Sequence, residues 1–409
     1  MKKLLFVFVI ALAVVPVSAR VINVPDDYAT IQGGIDAAED GDTVLVQPGL
    51  YEENITTGGK GNISIGSQTL MTGDPAFIAE TIIDGGGNGV TVDIYHMERD
   101  ARITLQGFTI RNGKGDGNAD NYGGGVSAIG AIYADLIDLV VTGNQGSMPY
   151  YAGVSAQSIW DVHLKRVRIT DNDGGGILIS AERASLKDCE ITNNRGTGGD
   201  MGAIELSLER ATFTDNDYTG LSLFESSNQP LVLNRLTIAG TRMIDDAGGI
   251  GLSMHTGGPE IHSALSNSII YGNEGPDIQL QEGARGNSTL AVSFCDVEGG
   301  QDSVKLIGEG QPELTWGEGN IDSDPLFADP DSGDYHLTAE SPCIDAGDPD
   351  SDLDPDGTLA DMGAFYFHQR DIDVEPDSLE FATLDPGGRD SLAITIRNIG
   401  LTWLQVELP

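Results

Sequence analysis

The sequence predicts an all-β chain built as a parallel β-helix, and three observations carry that prediction. The first is a short phrase that recurs, VRITDN at 167–172 and CEITNN at 189–194. Taking its second apolar residue as a marker gives Ile110, Val141, Ile169, Ile191, Phe213, Ile238, Ile270 and Val297, at intervals of 31, 28, 22, 22, 25, 32 and 27 residues. The second is that the residue two before each marker is apolar or small: Phe108, Leu139, Val167, Cys189, Ala211, Leu236, Ser268 and Cys295. The third is composition, with 55 Gly against 11 Phe and 11 Tyr, which suits many tight turns and few long helices.

A unit of this length with period-two strands and no helix-length stripe is one coil of a solenoid. A single coil cannot bury its own apolar positions. Successive coils therefore stack about 4.8 Å apart and share a continuous core. Three residues after the marker, Asn144, Asn172, Asn194, Asn216 and Asn273 fall in register. Stacked Asn side chains satisfy turn amides along the stack, so this column is expected to be structural.

In chain order, residues 1–19 have two lysines, an apolar run from Leu4 to Val15 and a small-residue site ending at Ala19, the pattern of a secretory signal peptide. No later stretch approaches the apolar length of a membrane span, so a secreted, extracellular or cell-surface location is expected. Ile31, Ile35 and Ala38 share one face of a short helix that Thr30 caps and Gly41 ends, followed by a strand at 43–46. A helix here covers the open end of the stack.

The segments TIQ, IDAA and GDTVLVQPGLYEENI, with GFTIRNG at 107–113, resemble secreted bacterial right-handed parallel β-helix proteins of the pectin-lyase-like superfamily. The resemblance spans about residues 21–367 and implies a right-handed coil. Its activities are diverse, including lyases, hydrolases, epimerases and adhesins, so fold alone selects none.

Where the interval is 22, outward residues should stack as well: Arg166 over Asp188 over Arg210, and Arg168 over Glu190, with Asp138 and Arg235 extending the first column. Such pairs stabilise a sheet face by about 0.2–1 kcal/mol each. His163, Lys165, Arg166 and Arg168 form a basic cluster in an acidic chain. A polysaccharide lyase needs a Lys or Arg base beside a charge partner, often calcium, so Lys165, Lys187 and Arg166 are catalytic candidates. A salt-bridge ladder accounts for the same residues. Asp171, Asp173, Asp215 and Asp217, from two copies of TDND, read as turn residues, since the Gly-His-Gly and Arg-Ile-Lys segments that accompany hydrolase aspartates in the superfamily do not occur.

The long intervals place projecting loops at 113–125 and 241–260, with a third at 143–153. Tyr122, Tyr150 and Tyr151 in these loops offer flat faces to sugar rings, or pack the loops themselves. Residues 319–367, with DPLF, DYHL, SPCIDAG and DMGAF, resemble the closing segment of many such bacterial β-helices. Within it Asp352, Asp354, Asp356 and Gly357 make D-x-D-x-D-G, whose alternating carboxylates suit calcium or a solvated acidic turn. The twelfth position of an EF-hand loop is Gly363 rather than Glu. Residues 368–409 alternate as antiparallel strands and look like the start of a bacterial immunoglobulin-like module. The expected domains are thus 1–19, 20–318, 319–367 and 368–409.

With 63 acidic and 22 basic residues the net charge is −41. Such a body repels nucleic acid and anionic lipid, and neither is expected as a partner. Three cysteines do not make a disulfide framework. Cys189 and Cys295 lie four coils apart, beyond the reach of a bridge, and read as core residues. Two functions remain: a non-catalytic scaffold that binds a polysaccharide, surface glycan or partner, and a calcium-assisted polysaccharide lyase. No residue pattern fixes an oligomeric state.

Overall fold

The computed structural model describes residues 19–115, 123–146, 153–225, 231–244, 247–256, 261–281, 288–308, 312–369, 372–375 and 395–398. One parallel sheet system of 22 strands winds through it. All eight markers pair in a single row: Ile110 with Val141, Val141 with Ile169, then Ile191, Phe213, Ile238, Ile270 and Val297 in turn. Each is fully buried, as are the apolar or small residues two before them. The period-two reading is thereby borne out along the whole stack.

Each coil turns at two left-handed corners that flank the marker strand. Three before the marker, Gly107, Asp138, Arg166, Asp188, Arg210, Arg235, Asn267 and Phe294 all have positive φ. Two after it, Asn112, Gly143, Asp171, Asn193, Asp215, Gly240, Gly272 and Gly299 do so as well. Most of these residues carry a Cβ, and a non-Gly residue in this region costs about 1–2 kcal/mol, which the ladder of every coil above and below offsets.

The Asn column forms the expected ladder. The Asn144 amide nitrogen and side chain donate to Asn172 Oδ1 at 3.0 and 3.0 Å, Asn172 does the same to Asn194 at 3.2 and 2.9 Å, and Asn194 to Asn216 at 3.1 and 2.9 Å. Thr241 takes the next place, and its amide donates to Asn273 Oδ1 at 3.1 Å.

The capping helix α1 spans Ile31–Ala37, with Thr30 accepting from the Gly33 amide. It stops at Ala38 rather than at Gly41, which turns the chain three residues later with φ of +90°. Glu53 reaches up from the first coils to accept from the Ile31 and Gln32 amides at 2.9 and 3.0 Å, a second cap at the positive end of the helix. Gly34 has a packing reason: a Cβ there would meet Val44 and Val24 at 2.9 and 3.0 Å. Two further short helices, α2 (Thr69–Thr72) and α3 (Ala76–Glu80), sit outside the early coils.

The segment at 319–367 packs sideways, against the outer face of the later coils. Ala364 N donates to Thr237 Oγ1, Gly363 N to Asn267 O, and Asp348 N to Asn267 Oδ1. Ile269, Leu337, Cys343 and Met362 form a second small core beneath it. We call it the strap. Beyond it, Ile372–Glu375 pairs antiparallel with Thr395–Asn398. The rest of the immunoglobulin-like reading, 370–371, 376–394 and 399–409, lies outside the described residues, as do the leader residues 1–18.

Candidate functional site: a walled groove on the outer face

Between each inward pair stands one outward residue, and these form a second file along the stack: Thr109, Val140, Arg168, Glu190, Thr212, Thr237, Ile269 and Asp296. Its two ends are covered. Helix α3 lies over the start, where Thr109 Oγ1 donates to Ile78 O at 2.9 Å. The strap lies over the end and buries Thr237, Ile269 and Asp296. Only the middle, at Val140, Arg168 and Glu190, faces open space.

That window is the floor of a groove of about 540 Å³ whose first wall is Pro75, Ile78 and Ala79. A contiguous cleft of about 270 Å³ shares Asp188 and Glu190 and is walled by His336, Phe365 and Tyr366 of the strap and by His368 just after it. His336 stacks on Phe365 with ring centres 4.1 Å apart, and Tyr366 tilts against His368 at 4.5 Å. An apolar wall, an aromatic wall and a few convergent polar groups are the ordinary makings of a ligand site.

The charges along the groove divide into engaged and free. Arg166 grips Asp138 through two bonds, Nε at 2.6 Å and Nη2 at 2.9 Å, which raises its guanidinium above its ordinary value and keeps it cationic. Arg210 is held by Asp188 at 2.5 Å and by Glu209 at 2.6 Å. Arg168 and Glu190 are register neighbours on adjacent coils, yet they form no ion pair with each other or with another side chain among the described residues. Arg168 and Glu190 thus stack as expected but do not bridge, while the other column divides into the pairs Arg166–Asp138 and Arg210–Asp188. A donor fork and an acceptor stand free beside each other at the centre of the groove.

Of the catalytic candidates, Arg166 borders the groove but Lys165 and Lys187 do not. Arg166 turns the corner with φ of +53°, so Lys165 lies on the preceding face and does not line the groove. Lys165 and Lys187 are register neighbours there as expected, and Lys187 binds Glu209 at 3.1 Å. Burial pushes the Cys189 thiol up to about 12, consistent with a core residue. All three cysteines are buried and free. Tyr122, Tyr150 and Tyr151 lie outside the described residues.

The acidic turn serves the strap. Asp354 accepts from buried Arg235 at 2.8 Å and from the Asp361 amide at 2.9 Å, while Arg235 also reaches the Asp352 carbonyl. Asp356 accepts from the Thr358 hydroxyl at 2.6 Å and the Gln369 amide at 2.8 Å. No three His, Cys, Asp or Glu side chains among the described residues are grouped to hold a metal ion. The strap aromatics were missed at the sequence level, although DYHL and AFYFH concentrate four of them in two short runs.

Residues 152–315 match the family model described as right handed beta helix region. Among solved structures, the chain is similar to pectate lyase Pel9A at 12% identity and a TM-score of 0.49, over 86% of this chain and 97% of that one. It is similar to the A-module of the mannuronan C-5 epimerase AlgE4 of Azotobacter vinelandii at 14% identity and a TM-score of 0.38, over 73% and 96%. No curated protein matches the sequence. No described helix is long and apolar enough to cross a membrane. The unbroken marker row, the paired corners of each coil and the match over 152–315 together show the fold of a right-handed parallel β-helix.

Proposed function

We propose that the protein is an exported β-helix scaffold that holds a glycan in the groove between α3 and the strap without cleaving it. The observation that carries this reading is the pair Arg168 and Glu190, free of other side chains and set between an apolar and an aromatic wall. A guanidinium fork donates to sugar hydroxyls, a carboxylate accepts from them, and ring faces cover the flat apolar sides of a sugar. The other charged groups at the groove are already engaged, as structural ladders require and as a catalytic base poised for proton transfer would not be.

One observation favours a lyase as the second reading, namely that Arg168 is an unengaged arginine facing the groove. The discriminating experiment is a glycan screen on purified residues 20–409 with calcium at about millimolar level, following both binding and the ultraviolet absorbance of unsaturated uronates. Binding without product, weakened in Arg168→Gln and Glu190→Gln, supports the scaffold. Rising absorbance that Arg168→Gln abolishes establishes the lyase.

A further inference from the structure

We infer that the bound glycan is uncharged and runs across the coils, parallel to the strands, from the groove to a second, polar subsite beyond the marker strand. This rests on the groove reading above and extends it.

The direction follows from the walls. Along the stack axis the open floor is blocked on one side by α3 and on the other by the strap, so a chain longer than the window has no room that way. Across the stack the floor is open. From Arg168 and Glu190 the same two strands continue through outward Thr170 and Thr192 to the second left-handed corner at Asp171 and Asn193. There a polar cavity of about 450 Å³ opens, lined by Asp171, Asp173, Asn193, Arg195, Asp217 and Arg242. Asp171 lies three positions after Arg168, about 10 Å of extended strand, so a short oligosaccharide reaches both sites.

The chemistry of this second site is hydrogen bonding without excess charge. Asn193 donates to Asp171 at 2.5 Å, Arg242 binds Asp217 at 2.7 Å, and Arg195 approaches Asp173 at 3.5 Å with three quarters of its side chain exposed. Counting the groove and this cavity together, Arg166, Arg168, Arg195 and Arg242 face Asp188, Glu190, Asp171, Asp173 and Asp217. The track is nearly balanced in sign within a body of −41, so a polyanion gains nothing there, whereas hydroxyl groups find donors and acceptors at every step.

The test is a chain-length series. Neutral gluco-, manno- and xylo-oligosaccharides from dimer to hexamer, with galacturonate oligomers as the charged comparison, are titrated by calorimetry into wild type, Arg195→Ala and Glu190→Gln. The inference expects a neutral series whose affinity keeps rising past the trimer and depends little on salt. It expects Arg195→Ala to erase about tenfold of affinity for the longer members and none for the dimer, while Glu190→Gln weakens every length. Tighter binding by galacturonates, or an affinity that stops rising at the length the groove alone accommodates and ignores Arg195→Ala, overturns the inference and leaves the groove reading standing. Binding indifferent to Glu190→Gln, or no binding by any series, overturns both.

Discussion

Asn194→Ala is the sharpest perturbation of the stack. The side chain accepts from Asn172 N and Nδ2 and donates to Ile169 O, Thr192 O and Asn216 Oδ1, all between 2.9 and 3.2 Å. Asn172 Nδ2 retains Val141 O at 3.1 Å, but Asn172 N–H has no other acceptor among the described residues, and both Asn172 and Asn194 are fully buried. One orphaned amide costs about 1–3 kcal/mol, and the shared bonds of the amide group add about 1–2, for a loss of about 2–5 kcal/mol. Its neighbour Asn193 is the control. Asn193→Gly keeps the left-handed corner and loses only exposed bonds, one to Asp171 and a long one from Arg242 at 3.4 Å, so it should change stability by less than about 0.5 kcal/mol. Urea unfolding at constant slope gives both values, and amide exchange at residue 172 reports local opening. Equal midpoints for the two variants would refute the claim that the column is a structural ladder.

Asp354→Ala strips buried Arg235 of its carboxylate and should cost about 3–5 kcal/mol, with loss of strap protection in amide exchange. Because Asp354 is already committed to Arg235, calcium and chelator should give the same melting temperature; a calcium-dependent rise that Asp352→Asn removes would restore a metal role for this turn. Burial pushes Asp296 and Asp361 to about 6 and Asp277 to about 7. Each is raised above its unfolded value of about 4, so each contributes most stability below that pH, and the contribution is lost as pH climbs through 6 to 7. Asp296→Asn should flatten that decline in a melting series. Arg166→Ala leaves buried Asp138 with the Gln106 amide at 2.8 Å but no counter-charge and should cost about 1–2 kcal/mol, while Arg168→Ala should leave the melting temperature unchanged.

The coil was legible because burial imposes a strict period of two on the marker strands, and Asn at a fixed offset betrays the turn ladder. The corners were not. At Asp138, Arg166, Asp188, Arg210 and Arg235 the left-handed turn is made by charged residues that give no glycine signal, so Lys165, Arg166 and Arg168 read as one cluster although the bend at Arg166 puts them on two faces. The strap was recognisable as a closing segment, but its seat was not. What directs it sideways is that Thr237, Ile269 and Asp296 form an outward file able to pair with Ala364, Met362 and Cys343, a contact between residues up to about 130 positions apart that no local pattern announces. The groove exists only because of that seat, which is why Arg168 and Glu190 looked like one more rung of a ladder.

The central claim is that the opening between α3 and the strap is where the ligand sits. The most direct measurement is a crystal structure of the full chain soaked with the tightest oligosaccharide of the series. Sugar density is expected over Val140, Arg168 and Glu190, with a ring against Tyr366 and hydroxyls within hydrogen-bonding distance of the Arg168 guanidinium. Ligand density on the Lys165–Lys187 face, or on the end of the stack with the groove empty, would contradict it.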